Sequence, residues 1–531
     1  MTAAPLDAVA PADIAPAAPD RGRFAPMALA AVLALLAVAM GWRGMDLPAQ
    51  IYRVGLFHRQ GMVLWDTQWY GGHWTLNYSV IFPPVAGVLG IQVTEVLAAA
   101  AAAWAFDRVV VGHFGRSARV GSLLFAAGTF VQVVIGQLPF LLGESLALGA
   151  WWAASRRRWR LAVFLALGAA LASPLAAAFL VLALIPWLVS AWSRLRTPLL
   201  AMMAAAALPS VATIVLFPGE GAMPFPWCKF AKVTALLIAA LVLIPRREGA
   251  LRAGVALYLA ATVVSFVVPT PLGTNISRLS EVAGAPLACC VLWPRRRTLL
   301  VAALIPFGLL QWTPALATFS TPKHELASDA SYFTNVLAFL HANDTPAGRV
   351  EIVPTKLHWE VAYAAPTIAL ARGWERQLDT VDNPIFYKND ALTSASYRAW
   401  LLDAGVRYVA LADVPLDYAG EAEGRLVAGG VPGLVPVWHD AHWRVFSVAG
   451  ADGIVTGPAT VRQIDGGSVQ LDATGPGRVV LRVRYSKSWR VVEGAACVAE
   501  GPGTWTTLDV AQPGPVQLAL RLVGSGPGTA C

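Results

Sequence analysis

Charged residues are scarce in this chain. They make up 14% of its 531 residues, whereas hydrophobic residues make up 56%. A soluble protein of this length could not bury so large an apolar excess, because a folded surface still needs polar cover. The low charge therefore excludes an ordinary soluble enzyme, and the 20 Trp and 20 Phe residues exclude an intrinsically disordered chain.

The motifs of several enzyme classes are also missing. The sequence contains no Walker A loop, no dinucleotide fingerprint, no CxxC pair and no nucleophile elbow. ATP hydrolysis, redox catalysis and serine hydrolysis therefore have no support, and no cofactor is predicted. Two histidine-containing stretches, at residues 358–360 and 438–442, match no zinc spacing. No metal site is predicted, and dependence on a divalent metal is left open.

The positive charge is unevenly distributed. Residues 1–319 hold 23 Lys and Arg against 11 Asp and Glu, while residues 320–531 hold 17 against 21. A basic protein can bind nucleic acid. Here the positive residues stand in short clusters between apolar stretches, which is typical of a membrane protein. We therefore expect a lipid bilayer as partner and no nucleic acid.

Eleven apolar segments approach the roughly 17–25 residues that cross a bilayer. Ser173-Pro174 separates the fifth from the sixth, so these two form either a tight hairpin or one kinked element. No small-residue cleavage site follows the first, which is expected to be a retained anchor. The segments lie near residues 26–42, 84–106, 119–136, 138–154, 161–173, 175–192, 198–217, 230–245, 252–268, 280–293 and 298–316.

The orientation follows from the basic residues, because positively charged loops resist translocation. Alternating the segments places 17 Arg on one side and only 6 Lys or Arg on the other. This split predicts an odd number of spans in the plasma membrane, with a cytoplasmic N-terminus. Everything after residue 320 is then extracytoplasmic.

The predicted fold class is a polytopic α-helical membrane domain of about 11 spans, followed by an extracytoplasmic α/β unit and a β-sandwich. Residues 332–340 have helical periodicity, whereas residues 350–353, 367–370 and 408–411 are short apolar runs typical of buried strands. After residue 450, short alternating strands are separated by Gly and Pro. The expected domains are a disordered tail 1–25, a membrane domain 26–319, an α/β domain 320–449 and a sandwich 450–531.

Polar residues collect in the first outer loop, about residues 43–80. A short amphipathic helix is expected around Arg53, and residues 70–73 form a turn in which glycines allow close backbone approach. The interleaved tryptophans favour an interfacial belt. The ionisable and polar candidates of this loop are Asp46, Arg53, Arg59, Asp66, Tyr70 and His73.

Other outer-face candidates are Glu144 after the third span, and Asn275 and Arg278 before the tenth. An ionisable residue near membrane depth is costly to keep there, and it is therefore a functional candidate. Structural alternatives stand beside each: Asp46 could cap the helix that begins at Leu47, and Arg278 could pair with Glu281.

The early aspartate in Gly44-Met45-Asp46-Leu47-Pro48, the long outer loop and the outer C-terminal half together resemble the GT-C superfamily of integral-membrane glycosyltransferases. The chain is also similar to actinobacterial membrane proteins of this build. The resemblance implies a polyprenyl-phosphate sugar as donor, and a cell-envelope glycan or lipid as acceptor. It makes Asp46 the catalytic base and Arg278 the ligand of the donor phosphate, with Arg53 and Arg59 as alternatives. The other polar candidates would line the substrate cavity.

Two other functions remain open. Residues 107–116 (Asp-Arg-Val-Val-Val-Gly-His-Phe-Gly-Arg) resemble a loop of major-facilitator carriers, which makes a secondary transporter the main alternative. A non-catalytic scaffold for envelope assembly is the other. No twofold repeat of six spans is evident, and the long outer regions are wrong for a carrier. The glycosyltransferase is therefore favoured.

The five cysteines are interpreted by position. Cys228, Cys289 and Cys290 lie in or beside apolar segments and are expected to behave as small apolar residues. Cys497 and Cys531 fall in the outer β region, where an oxidising compartment permits a bridge. We predict a disulfide between them.

Overall fold

The computed structural model describes residues 22–190, 192–219, 221–293, 297–320, 325–343, 348–388, 390–522 and 531. The predicted disordered tail lies outside this part of the chain as far as residue 21. The chain divides into two compact units. The first comprises Met1–Trp42, Tyr78–Leu216 and Met223–Thr318, and the second comprises Arg43–Asn77, Phe217–Ala222 and Phe319–Cys531.

Helices build the first unit, and helices and strands build the second. The helices are α1 Ala25–Met40, α2 Leu47–Gln60, α3 Phe82–Leu89, α4 Ile91–Phe114, α5 Arg119–Ile135, α6 Leu138–Ser155, α7 Trp159–Ala172, α8 Pro174–Ser190, α9 Trp192–Leu216, α10 Trp227–Leu243, α11 Gly249–Val267, α12 Arg278–Leu292, α13 Arg297–Ser320, α14 Ala330–Asn343, α15 Glu360–Tyr363, α16 Arg376–Asp382, α17 Ser394–Asp403 and α18 Glu421–Gly429. The strands are β1 Trp65–Asp66, β2 His73–Trp74, β3 Arg349–Ile352, β4 Val406–Ala412, β5 Leu434–His439, β6 Trp443–Val448, β7 Val455–Thr456, β8 Ala459–Asp465, β9 Ser468–Ala473, β10 Gly477–Arg484, β11 Trp489–Glu493, β12 Ala496–Glu500, β13 Trp505–Val510 and β14 Gly514–Leu520.

The predicted combination of an apolar many-helix unit, an α/β unit and a β-sandwich is confirmed, and each of the eleven apolar segments holds a helix. The second segment needs a correction, because Gly90 divides it into α3 and α4. Gly90 has a φ of 86°, a conformation that glycine adopts without penalty and that ends a helix. Five of the described helices are long and apolar enough to cross a membrane: Ile91–Phe114, Arg116–Ile135, Leu195–Leu216, Gly249–Val267 and Thr298–Leu316.

Alanine stripes let the helices of the first unit pack closely. On α7, Ala162, Ala166 and Ala169 are fully buried and lie on one face at helical spacing. Small residues allow helix backbones to approach, which is the usual way that membrane helices associate. The opposite face of α7 carries exposed apolar side chains such as Phe164, as expected of a surface that meets lipid.

The α/β part of the second unit contains a four-stranded sheet in the order β3-β4-β6-β5. Strands β3 and β4 are parallel, and β5 and β6 form an antiparallel hairpin. The apolar run at 367–370 was expected to be a strand, but it contributes only one bridge, between Leu370 and Val350. Of its remaining residues, Ile368 packs in the α/β core, Ala369 packs against the sandwich core and Thr367 is exposed.

Two four-stranded sheets form the β-sandwich, in the orders β12-β13-β10-β7 and β11-β14-β9-β8. Alternate residues of the strands point into the core, including the fully buried Val479 and Leu518. A disulfide joins Cys497 to Cys531, whose Cα atoms are 5.1 Å apart. Trp489, also buried, packs in this core and not on the surface.

The first outer loop folds as part of the second unit. It contains α2 and a short hairpin, β1–β2, in which Asp66 pairs with His73. Two of its tryptophans were expected in an interfacial belt, and this was wrong. Trp65 packs in the sandwich core and Trp69 in the α/β core. The large apolar area of an indole ring is most stabilising where it is removed from water, and these two cores provide that environment.

Candidate functional site

Asp46 stands immediately before α2, and Pro48 occupies the first turn of that helix. The alternative that Asp46 caps α2 is not supported, because its side chain makes no capping hydrogen bond in the described structure. The residue is nevertheless only 8% exposed. Burying a carboxylate is costly, and such positions are commonly functional.

A tryptophan from the distal half of the chain holds the backbone beside Asp46. Trp374 Nε1 donates a hydrogen bond of 2.9 Å to the carbonyl oxygen of Met45. The guanidinium carbon of Arg53 lies 5.5 Å from the centre of the Trp374 ring, a cation–π distance. Trp374 therefore contacts both the residue before Asp46 in the chain and Arg53 of α2.

Arg53 is engaged by a carboxylate that the sequence analysis did not single out. Its Nη2 donates a hydrogen bond to Glu375 Oε1, and both side chains are about nine-tenths buried. His73 Nε2 lies 3.9 Å from the same oxygen. The hydroxyl of Tyr70 donates to the Glu375 carbonyl oxygen at 3.0 Å. Glu375 thus brings Arg53, Tyr70 and His73 together.

Only a glycine fits beside this cluster. A Cβ atom on Gly373 would lie 2.7 Å from Trp69. Trp69 stacks on Tyr52 on one side and on His73 on the other, with ring centres 4.5 and 5.3 Å apart. The sequence signal for this missed element is the run Gly373-Trp374-Glu375-Arg376, where charges surround a glycine directly after a short apolar stretch.

Asp66 and Arg59 do not contact Glu375 in the described contacts, but both contact Tyr52, which stacks on Trp69. The carboxylate of Asp66 accepts hydrogen bonds from the Tyr52 hydroxyl at 2.7 Å and from the Gln68 amide at 3.1 Å. These bonds connect α2 to the hairpin. Arg59 is exposed at the C-terminal end of α2 and lies over the Tyr52 ring.

The predicted glycine turn is present between β1 and β2. Tyr70, Gly71 and Gly72 all have positive φ values, of 57°, 78° and 132°. A Cβ atom on Gly71 would lie 2.6 Å from Trp505, and one on Gly72 would lie 2.5 Å from Trp65. The glycines therefore allow the close backbone approach that was expected of them.

The candidates of the first unit form a second polar group. Gln132 of α5 donates a hydrogen bond of 2.8 Å to Glu144 of α6. One helical turn before Glu144, the ring of Phe140 lies 5.7 Å from the guanidinium carbon of Arg278. The structure thus brings Glu144 and Arg278 to adjacent turns of α6, and Gln132 is a polar neighbour that the sequence analysis missed.

Helix α11 anchors the segment that carries Asn275 and Arg278. Tyr258 donates its hydroxyl proton to the Ile276 carbonyl oxygen, and Ser265 donates to the Gly273 carbonyl oxygen at 2.9 Å. Asn275 lies half-buried in this segment. Glu281, which was considered as a partner of Arg278, forms an ion pair with Lys229, with 3.0 Å between Oε1 and Nζ.

The histidine-containing stretches have structural partners in the described part of the chain. His358 lies between two carboxylates, 3.2 Å from Glu360 and 3.6 Å from Asp417. Burial opposes its charge, but the hydrogen bonds to Asp417 and Glu360 raise its pKa to about 9. In the second stretch, Asp440 accepts the backbone amides of His442 and Trp443, which forms a turn.

The carrier-like loop contains a helix-to-helix contact. The buried carboxylate of Asp107 on α4 accepts a hydrogen bond of 3.3 Å from Arg119 Nε at the start of α5. This ion pair connects two consecutive helices of the first unit. The contact gives the buried Asp107 of this stretch a structural role, and Arg108 lies 3.8 Å from the same carboxylate.

Fold and polar groups together define a class: a multi-spanning membrane protein with an α/β unit and a β-sandwich. No family model matches the chain, and no curated protein matches it. Among solved structures, it is similar to the arabinofuranosyltransferase AftD from Mycobacteria, with a TM-score of 0.43 and 17% sequence identity. The match covers 85% of this chain and 41% of that one, so this chain spans about two fifths of that protein's length.

Proposed function

We propose that the protein is a GT-C-type membrane glycosyltransferase with Asp46 as its catalytic base. The observation that carries this proposal is the burial of Asp46 at 8% exposure, beside a backbone held by Trp374. A carboxylate in bulk solvent would be a weak candidate, because general-base catalysis needs a positioned group with a controlled environment.

The reaction follows from these roles. Asp46 accepts the proton of an acceptor hydroxyl, and the hydroxyl oxygen forms a bond to the anomeric carbon of the donor sugar. The bond between that carbon and the phosphate oxygen breaks, and polyprenyl phosphate leaves with the electron pair. The donor is a polyprenyl-phosphate sugar, and the acceptor is an envelope glycan or lipid on the outer face.

Arg278 is the proposed ligand of the donor phosphate. It is the first residue of α12, where the amide groups of the helix start also favour an anion. Arg53 is less suited, because Glu375 already receives its guanidinium. Arg59, Asp66, Tyr70, His73, Glu144 and Asn275 complete the proposed site residues, with Asp66 in a supporting role through Tyr52.

The proposed location is the plasma membrane, with the N-terminus in the cytoplasm. The proposed domains are a tail at 1–25, a membrane domain at 26–319, and extracytoplasmic domains at 320–449 and 450–531. This arrangement places the outer loop on the face where lipid-linked sugars and envelope acceptors meet. Its support is the 17-to-6 division of basic residues between the two sides.

The test is sugar transfer by purified full-length protein in detergent, with a panel of radiolabelled polyprenyl-phosphate sugars and envelope acceptors. We expect Asp46→Asn to lower the rate by about 10²-fold or more, the size of a general-base contribution. Asp472→Asn is the matched control, because it makes the same chemical change at a carboxylate of the β-sandwich whose side chain is 42% exposed and pairs with Arg462. It should change thermal stability little and leave the rate of the folded protein within about threefold. Equal rates for wild type and Asp46→Asn would contradict the proposal.

A further inference from the structure

A cavity of about 340 Å³ lies within the first unit and includes His113 and Phe114 of the carrier-like stretch. Four stretches form it: the end of α4, the short turn after α4, the turn before α11 and the last turns of α12. Arg278 begins α12 and Cys290 lies twelve residues later, which is about 18 Å along a helix. The cavity therefore belongs to the other end of α12, on the predicted cytoplasmic side.

An imidazole and a guanidinium share one carboxylate at this cavity. His113 Nε2 lies 3.0 Å from Glu248 Oε2, and Arg247 Nε lies 3.4 Å from Glu248 Oε1. Glu248 is mostly covered, but the side chains of His113 and Arg247 are 63% and 60% exposed. A guanidinium has five N–H donors, more than this one contact engages. Ser117 adds a hydroxyl to the lining. The lining thus offers several donors to an anion.

Apolar surface continues from the cavity along a helix. Pro245 lines the cavity, and the preceding helix α10 exposes Val242 and Ile238, four residues apart on one face. Helix α11 follows the turn at the cavity, and only 17% of its apolar stretch is buried. An acyl chain could lie along such a face while its headgroup occupies the cavity. A free anion would gain nothing from these side chains.

We propose that this cavity binds the phosphate headgroup of an anionic phospholipid of the cytoplasmic leaflet. Arg247 and His113 hold the phosphate oxygens, Ser117 donates a further hydrogen bond, and the acyl chains follow the exposed face of α10. Basic pockets at helix ends on the cytoplasmic side suit this chemistry, and each basic residue near the surface contributes on the order of 1 kcal/mol.

Native mass spectrometry and thermal shift of the full-length protein in detergent test this site. Three additions are compared: dioleoyl-phosphatidylglycerol, dioleoyl-phosphatidylcholine and inorganic phosphate. We expect the anionic lipid to bind and to raise the melting temperature more than the zwitterionic lipid does. Arg247→Gln should weaken that binding about fivefold. Arg160→Gln, which removes an exposed charge on the same predicted side outside the cavity, should leave it unchanged.

Ser117→Trp provides a second, independent variant. It keeps every charge and fills the cavity, so lipid binding should fall although Arg247 is intact. The proposal is overturned if the two lipids bind equally, or if Arg160→Gln weakens binding as much as Arg247→Gln. Saturation by inorganic phosphate at the same phosphate concentration would identify a free anion as the ligand and would also overturn it. A Ser117→Trp variant with wild-type binding would exclude the cavity.

Discussion

At the scale of single residues, the pair Arg53–Glu375 stabilises the candidate site. Both side chains are about nine-tenths buried, and the partners are 322 residues apart in sequence. A buried ion pair contributes little net stability over an apolar pair, but losing one member leaves a buried charge without compensation. The position of α2, which follows Asp46, therefore depends on a contact with Glu375 at the start of α16.

Glu375→Gln should lower the free energy of unfolding by about 3–5 kcal/mol, because the Arg53 charge stays buried. Glu421→Gln is the control, since it breaks an exposed pair with Arg425 one helical turn away. That change should cost less than about 0.5 kcal/mol. Thermal unfolding followed by tryptophan fluorescence measures both. Similar melting temperatures for the two variants would show that losing the buried pair costs no more stability than losing the exposed pair, which would contradict this prediction.

The sequence alone could single out Asp46 as a candidate residue, but it could not predict which side chains lie around it. An aspartate directly after an apolar segment is visible in the sequence, as is a glycine pair that permits a close approach. The partnership of Glu375 with Arg53 is not visible, because it depends on tertiary contacts between distant parts of the chain. The same limit explains the wrong prediction for Trp65 and Trp69, because their burial depends on tertiary packing in the two cores.

At the scale of elements, a buried charge cluster joins α15, α16 and the loop that follows β4. The carboxylate of Asp417 lies 3.6 Å from His358 Nε2 and accepts a hydrogen bond of 2.8 Å from Arg376 Nη2. Burial raises the pKa of Asp417, but His358 and Arg376 outweigh this effect and hold its pKa well below the usual range. The cluster is thus charged on both sides at neutral pH.

The stability of this region should fall as the pH rises from about 6.5 to 9. The pKa of His358 is raised to about 9 in the folded chain, above its ordinary value of about 6.5. Its contribution is complete below the ordinary value and is lost as the pH passes the folded value, a loss of about 3 kcal/mol. Melting temperatures across this range measure it.

His358→Asn should remove this part of the pH dependence, and Asn tolerates the positive φ of 57° at this position. His442→Asn is the matched control, since His442 pairs with an exposed carboxylate, Asp413. It should leave the pH profile unchanged. A profile that is the same in wild type and His358→Asn would contradict the assignment.

Regular elements were the most predictable part of the chain. Long apolar runs correspond to helices, and the hairpin at β5–β6 and the sandwich strands follow from alternation and turn residues. The break at Gly90 was missed, because a single glycine inside an apolar run does not reveal its φ angle. The run at 367–370 was misassigned, because a short apolar stretch fits a strand and an irregular core segment equally well.

At the scale of the whole molecule, the orientation of the first unit is testable with a native thiol. Cys228 is exposed at the start of α10, on the predicted outer side, while Cys289 and Cys290 are buried. A membrane-impermeant maleimide added to intact cells should therefore label the full-length protein at Cys228. Ser117→Cys, made in a Cys228→Ser background, should be labelled only after permeabilisation. The reverse pattern would invert the predicted topology.

The assignment of the first outer loop to the second unit has a consequence for biosynthesis. Arg53 leaves the ribosome 322 residues ahead of Glu375, and at about 5–20 residues per second this interval lasts on the order of half a minute. During that time the Met45 carbonyl lacks its hydrogen bond from Trp374, and Arg53 lacks its ion pair with Glu375. The contacts that hold the backbone beside Asp46 and neutralise Arg53 can therefore form only after residues 374 and 375 have been synthesised, so the proposed site is assembled late in the synthesis of the second unit.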